Sequence, residues 1–288
     1  MLEPTQSISL SLYCKVVEIT DNHFHLDPSG QKDNAVKDFL KSGGTRLVLV
    51  HKPYSSWEKV EQFKEQVGIT LKLSQKARQV GAKVAVIASP HPVQLIKLLD
   101  NFGPSLASEL YLEAVDYCAT LVSENHIVGL GELGRPHFEV KKDIWELSNK
   151  VLKESLKRAK EVDASAILHT ETGTPEVMKD LSNIASEVNF PKSQLVKHYG
   201  GIGSIEKSYG ITVSLLATST NIEYAAKNNL EHMLETDYLD DPNRPGAVLG
   251  PRTVPRKTLK FIDKGLLNDE QVAKIHTDLP NKIYKDFS

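Results

Sequence analysis

Eight strand-like apolar runs alternate with helix-like stretches along the chain, and five of the eight end near a residue that can bind a metal ion. The runs, rich in Val, Ile and Leu, fall at residues 15–20, 46–51, 82–88, 127–130, 165–169, 195–198, 211–216 and 232–236. Between them the spacing predicts helices over 32–41, 56–79 with a break near Gly68, 92–101, 105–123, 141–162, a helix opening at Thr174-Pro175-Glu176, and helices over 219–229, 256–264 and 269–276. Gly200 to Gly203 reads as a turn. Strict β/α alternation predicts an α/β fold, a parallel (β/α)8 TIM barrel, whose strand C-termini share one face. A doubly wound open sheet would carry a glycine-rich phosphate turn after its first strand, and this chain has none there. No repeat, linker or low-complexity stretch divides residues 1–288, so a single domain is expected.

The run ending Asp21-Asn22-His23-Phe24-His25 carries two histidines at i and i+2, which point to one face of a strand. Four later runs stop at Glu132, His169, His198 and Asp237. In a barrel these ends converge on one mouth. Four imidazoles and two carboxylates suit zinc; magnesium, manganese and nickel are the alternatives. Six ligands exceed one tetrahedral sphere, so two divalent ions are expected, bridged by a carboxylate at a separation of about 3.5–4 Å.

Charge and cysteine content narrow the function classes. The formal net charge of −2 argues against a broad nonspecific nucleic-acid coat but leaves room for a local basic rim. Cys14 and Cys118 are too few and too isolated for a disulfide framework or a thiolate zinc site, and they are read as thiols in a reducing compartment. No basic leader with a long apolar core opens the chain, and no apolar run approaches the ~20 residues of a membrane span. A cytoplasmic protein without membrane association is the expectation.

Asp21-Asn22-His23-Phe24-His25-Leu26-Asp27, Gly131-Glu132-Leu133-Gly134, His169, His198 and Glu235-Thr236-Asp237-Tyr238-Leu239 together resemble the TatD family of metal-dependent hydrolases, within the amidohydrolase superfamily. The likeness spans most of the chain and is closest to an archaeal-type TatD-like branch. It implies that His23, His25, Glu132 and Asp237 hold one ion while Glu132, His169 and His198 hold the second. It further implies that Asp237 orients or deprotonates the attacking water, with Glu132 the other catalytic carboxylate. The chain departs from the family where Gly134 runs on into Arg135-Pro136-His137 instead of Leu-Asp, and where the loop after Asp237 is rich in arginine.

The resemblance implies a phosphodiesterase acting on phosphate-containing substrates, DNA ends among them. Hydrolysis of an amide, ester or lactone by the same water is the second reading, and a barrel that only binds metal is the third. Arginine forks bind phosphate bidentately, so Arg135, Arg244 and Arg252 are candidate substrate contacts, the other reading being solvated loop charge. His91 after the third strand either borders the site or is a packed turn histidine. Lys197 precedes His198 and is expected on the opposite face of its strand. His126 and His232 begin strands and belong at the far end of the barrel, while Asp240 and Asp241 read as solvated loop residues.

Overall fold

The computed structural model describes residues 17–285 and 287. Strands β1 (Thr20–His25), β2 (Arg46–Val50), β3 (Lys83–Ile87), β4 (Gly129–Gly134), β5 (Ser165–His169), β6 (Leu195–Gly200), β7 (Thr212–Leu216), β8 (Met233–Glu235) and β9 (Tyr238–Leu239) form one sheet in the order β8-β7-β6-β5-β4-β3-β2-β1-β9. Every pairing is parallel. Helices α1 (Asp33–Lys41), α2 (Val60–Gln79), α3 (Pro92–Ser123), α4 (Lys142–Glu161), α5 (Pro175–Glu187), α6 (Ile202–Glu206) and α7 (Ser219–Lys227) lie between successive strands; α8 (Thr253–Asp263), α9 (Asp269–Ala273) and α10 (Leu279–Tyr284) follow the last. This is the expected TIM barrel.

Alternation along the strands sorts the apolar residues into two cores. Val48, Val50, Ala85, Ile87, Ile167, Val196 and Met233 fill the barrel interior and are plugged from below by Leu279, Ile283 and Tyr284. Their neighbours, such as Leu47, Leu49, Val84, Val86, Leu168 and Leu195, pack outward in the larger cluster under the helices. Each such side chain, buried, is worth roughly 1.5–3 kcal/mol in transfer free energy, which is why the strands read as near-continuous apolar runs.

The ring closes differently from its other joints. β8 is not laddered to β1; instead Asn22 Nδ2 donates to the Leu234 carbonyl (2.9 Å), and Asp21 accepts from the Thr236 amide (2.9 Å) and hydroxyl (2.6 Å). The ladder resumes only at β9, where Phe24 pairs with Tyr238 and His25 with Leu239. The last stave is therefore two short segments with Thr236 and Asp237 between them, a ninth strand that sequence spacing did not resolve.

Other boundaries moved for identifiable reasons. β1 begins at Thr20, so His23 and His25 lie within the strand and not beyond it, while the expected start at 15–16 and Cys14 lie outside the described residues. α2 runs through Gly68 without a break. α3 contains the expected interruption as a kink: Gly103 adopts φ 74°, ψ 173° ahead of Pro104. The glycine turn after β6 leads into the short α6, and a π-helical turn (Lys274–Asp278) links α9 to α10. Among the described residues no helix is long and apolar enough to cross a membrane.

Candidate metal centre

All six candidate ligands meet at the C-terminal mouth of the barrel. Nε2 of His23 lies 3.2 Å from Nε2 of His25, and these atoms are 3.7 and 3.5 Å from Asp237 Oδ1. On the other side, Nδ1 of His169 and Nε2 of His198 are 3.2 Å apart and lie 2.7 and 2.9 Å from Glu132 Oε1. Glu132 Oε2 turns back to within 3.8 Å of His25. Oε1 is also 3.7 Å from His23 Nε2, so the Glu132 carboxylate stands between the two groups. Ring nitrogens held 3.2 Å apart match ligands sharing one ion, since donors at 2.0–2.1 Å around a tetrahedral centre lie about 3.3 Å from each other. The donor set fits divalent metal, with Glu132 placed to bridge.

Local sequence explains how these side chains are aimed. A Cβ at Gly134, where φ is +149°, would stand 1.9 Å from the His169 carbonyl oxygen, so only glycine lets the end of β4 close onto β5. At Gly131 a Cβ would press to 2.8 Å of Ile167. Outer contacts then set the rings. His25 Nδ1 lies 3.0 Å from the Val50 carbonyl, which makes Nδ1 the donor and leaves Nε2 its lone pair. His169 Nε2 faces His137 Nδ1 at 2.9 Å, and His198 Nδ1 stands 3.4 Å from Glu235. Asp237 itself sits at φ 51°, a turn conformation that Asp tolerates.

The protonation tendencies describe an intensely negative pocket around buried imidazoles. Burial would lift the Glu132 carboxyl, but His169 and His198 pull it well below the usual carboxylate range. Burial would lower His198, yet Glu132 and Glu235 outweigh it and push it up to about 10. His25 is raised by Asp237 and Glu132 against its burial, whereas burial and the neighbouring His198 drive His23 far down. A divalent cation would take the place of those protons, so metal binding and proton release are linked here.

The centre lies in a cleft of about 910 Å³. His91 lines it: its Nδ1 caps α3 by accepting from the Val93 amide (3.2 Å), and burial lowers its pKa to about 3. His91 also stands close enough to Glu132 and His169 to form a further group of potential donors. Arg244 lines the cleft as well, and its guanidinium makes no ion pair among the described residues. Two of the arginines do not act as expected. Arg135 is 1% exposed and does not line the cleft: four of its five N–H donors go to Glu171, Asp180 (2.6 Å) and Asn149 (2.9 Å), and the guanidinium lies over Trp145 at 4.4 Å, so its charge is already met by two carboxylates. Arg252 is outside the cleft wall and is paired with Asp38 at 2.5 Å.

Three cleft residues escaped the sequence reading as site residues. Lys52, seen only as a polar strand end, lines the cleft and is neutralised by Asp27 at 2.5 Å. His137, visible only as part of the unusual Arg-Pro-His continuation, reaches His169. Lys197, expected on the far face, brings its ammonium round to the cleft, where it donates to the His198 carbonyl at 2.7 Å; burial lowers its pKa to about 8. Strand alternation fixes the Cβ, not the end of a four-carbon stem. His232 keeps to the opposite end as expected, beside a smaller cavity of about 420 Å³ with no donor cluster among the described residues.

Comparison with known proteins places this geometry in a family. Residues 20–285 match the model described as TatD related DNase. Protein MJ1127 of Methanocaldococcus jannaschii is 35% identical over 274 residues, covering 94% of this chain and 96% of that protein. A TatD-like protein from Archaeoglobus fulgidus shares the fold with a TM-score of 0.62 at 15% identity, over 92% of this chain and 99% of that one. The phosphotriesterase homology protein of Escherichia coli, solved with phosphate in its active site, gives 0.65 at 13% identity over 93% and 99%. With the family match running almost from end to end and a full-length relative above 30% identity, this chain belongs to the TatD family and is a metal-dependent hydrolase.

Proposed function

We propose that this hydrolase cleaves phosphodiester bonds, using up to two zinc-like divalent ions held by His23, His25, Glu132, His169, His198 and Asp237. The observation that carries this reading is Arg244: a guanidinium with no carboxylate partner among the described residues, lining the cleft that holds the ligand cluster. A neutral ester or lactone offers it only an uncharged carbonyl, whereas a phosphodiester offers an anionic oxygen and a stronger, charge-assisted bond. The metal ions, when bound, supply Lewis acidity and acidify a water molecule. Asp237, whose carboxylate is 17% exposed and borders both histidines of β1, receives the proton of the attacking water. His91 donates to a substrate oxygen from the β3 side. The near-neutral chain favours a short substrate or a strand end over a long nucleic-acid track, and the buried, unpaired Cys118 on α3 suits a reducing cytoplasm.

The test compares Arg244→Ala with Arg252→Ala on bis(p-nitrophenyl) phosphate and on p-nitrophenyl acetate, after elemental analysis has fixed the metal content. Arg244→Ala should lose about ten- to a hundredfold in kcat/KM on the phosphodiester only, the equivalent of one charge-assisted contact of roughly 1.5–3 kcal/mol. Arg252→Ala should match the parent on both, because its guanidinium serves Asp38. Equal losses on both substrates, or turnover of the acetate alone, would reject the phosphodiester assignment.

A further inference from the structure

Arg46, Lys52, Arg135 and Lys197 are the buried basic residues among those described. Three have a carboxylate in contact: Arg46 meets Glu18 at 3.2 Å, Lys52 meets Asp27 at 2.5 Å, and Arg135 meets Glu171 and Asp180. Lys197 differs. It is 1% exposed, yet no carboxylate among the described residues comes within ion-pair distance, and its one hydrogen bond goes to the neutral carbonyl of His198. Glu235, Glu171, Glu132 and Asp237 act on it through space without touching it. Glu171 pairs with Arg135, Glu132 with His169 and His198, and Glu235 Oε1 accepts from the Tyr199 amide at 2.6 Å. An ammonium has three donors, so two remain, on a group that lines the cleft. A buried ammonium with donors left unpaired is disfavoured, and an oxyanion entering the cleft would supply the missing acceptor.

We propose that Lys197 anchors a second anionic group of the substrate, an oxyanion that is not the one being cleaved, and that it thereby selects substrates carrying a terminal phosphate or a carboxylate beside the scissile bond. This rests on the hydrolytic reading of the cleft but not on which bond is cut. The cation approaches from the β6 side, next to His198, while Arg244 comes from the loop after β9. The two thus address different parts of one ligand. Tyr199, exposed and also lining the cleft, stands next to Lys197 and gives the anchored group an aromatic wall.

Four substrates separate the possibilities in the metal-loaded protein: a thymidine dinucleotide with and without a 5′-phosphate, and p-nitrophenyl hydrogen succinate against p-nitrophenyl acetate. The wild type should prefer the anion-bearing member of at least one pair by about ten- to a hundredfold in kcat/KM. Lys197→Met should bring that ratio close to one, and Lys197→Arg should restore most of it. Preference within the dinucleotide pair identifies a phosphate as the anchored group; preference within the ester pair identifies a carboxylate. Cleavage of both dinucleotides with no preference in either pair, or a preference that survives in Lys197→Met, overturns the anchor and leaves the phosphodiester assignment standing. Failure to cleave either dinucleotide, with the succinate preference present and lost in Lys197→Met, does the reverse. A readout independent of turnover is melting: inorganic phosphate should raise the wild-type melting temperature by more than that of Lys197→Met. A variant that responds equally to phosphate overturns the proposal even if no substrate is turned over.

Discussion

Asp237 and Glu132 are both carboxylates in the same pocket, yet replacing them should have different consequences. Asp237 is the more exposed, faces the two histidines of β1 from a turn, and has its carboxylate open to the cleft. Asp237→Asn should keep the shape and lose at least ~10²-fold in kcat with little change in bound metal, because an amide cannot take up a proton. Stopped-assay rates alongside elemental analysis check this; near-normal turnover at full metal content contradicts it. Glu132→Gln should instead lose metal, since the carboxylate stands between both donor groups and a neutral amide is a poor ligand for cations there. His91 shows how a helix end restricts chemistry. Its Nδ1 lone pair is spent on the Val93 amide, so in the neutral ring the proton is on Nε2. It can donate to a substrate but does not serve as a further metal ligand without uncapping α3.

At the scale of elements, the loops after β1 and β2 are fastened together by Asp27 and Lys52. Burial would raise the Asp27 carboxyl, but donation from Lys52 and Ser29 outweighs it and leaves the pKa below its ordinary 3.8. A lowered carboxylate stabilises the fold above its unfolded pKa, and that contribution is lost as pH falls through the folded value. Lys52→Met should therefore destabilise by about 1–2 kcal/mol at pH ~7, a figure reduced for solvent at the cleft wall, with the gap from wild type narrowing below pH ~4. Urea denaturation at both pH values measures it, and a gap that widens in acid contradicts it. The strands themselves were legible because a parallel barrel buries both faces and so writes apolar runs into the sequence. The ligands were legible because they end those runs. Arg135 was misread for a physical reason: its partners Glu171 and Asp180 lie 36 and 45 residues away, on other elements, and no local pattern announces them. Lys197 was missed because periodicity does not track a flexible side chain, and the β8–β9 break because three- and two-residue segments leave no periodic signal.

In the whole molecule, the seam between the first and last staves has a mechanical meaning. The other joints in the barrel are backbone ladders alone, while this one combines the short β1–β9 ladder with side-chain bonds of Asp21, Asn22 and Thr236, the first and last of these being 215 residues apart in the chain. Contacts of such separation bear the largest loop-closure entropy. His23 and His25 stand on one side of the gap and Asp237 on the other. An ion bound by those three residues would thus be a clasp on a seam otherwise held by a short ladder and a few side-chain bonds. Metal loading should raise the melting temperature, by roughly 2.7 kcal/mol of added stability at a hundredfold excess over Kd. In hydrogen exchange, the protection gained should be largest in β1 and residues 233–239 and small in β3 and β7, which carry no ligand, and a uniform gain would contradict the clasp. The affinity of this protein for its ions then becomes a gauge of how firmly the circle of strands is shut, so that starvation for metal would loosen the architecture along with stopping the chemistry.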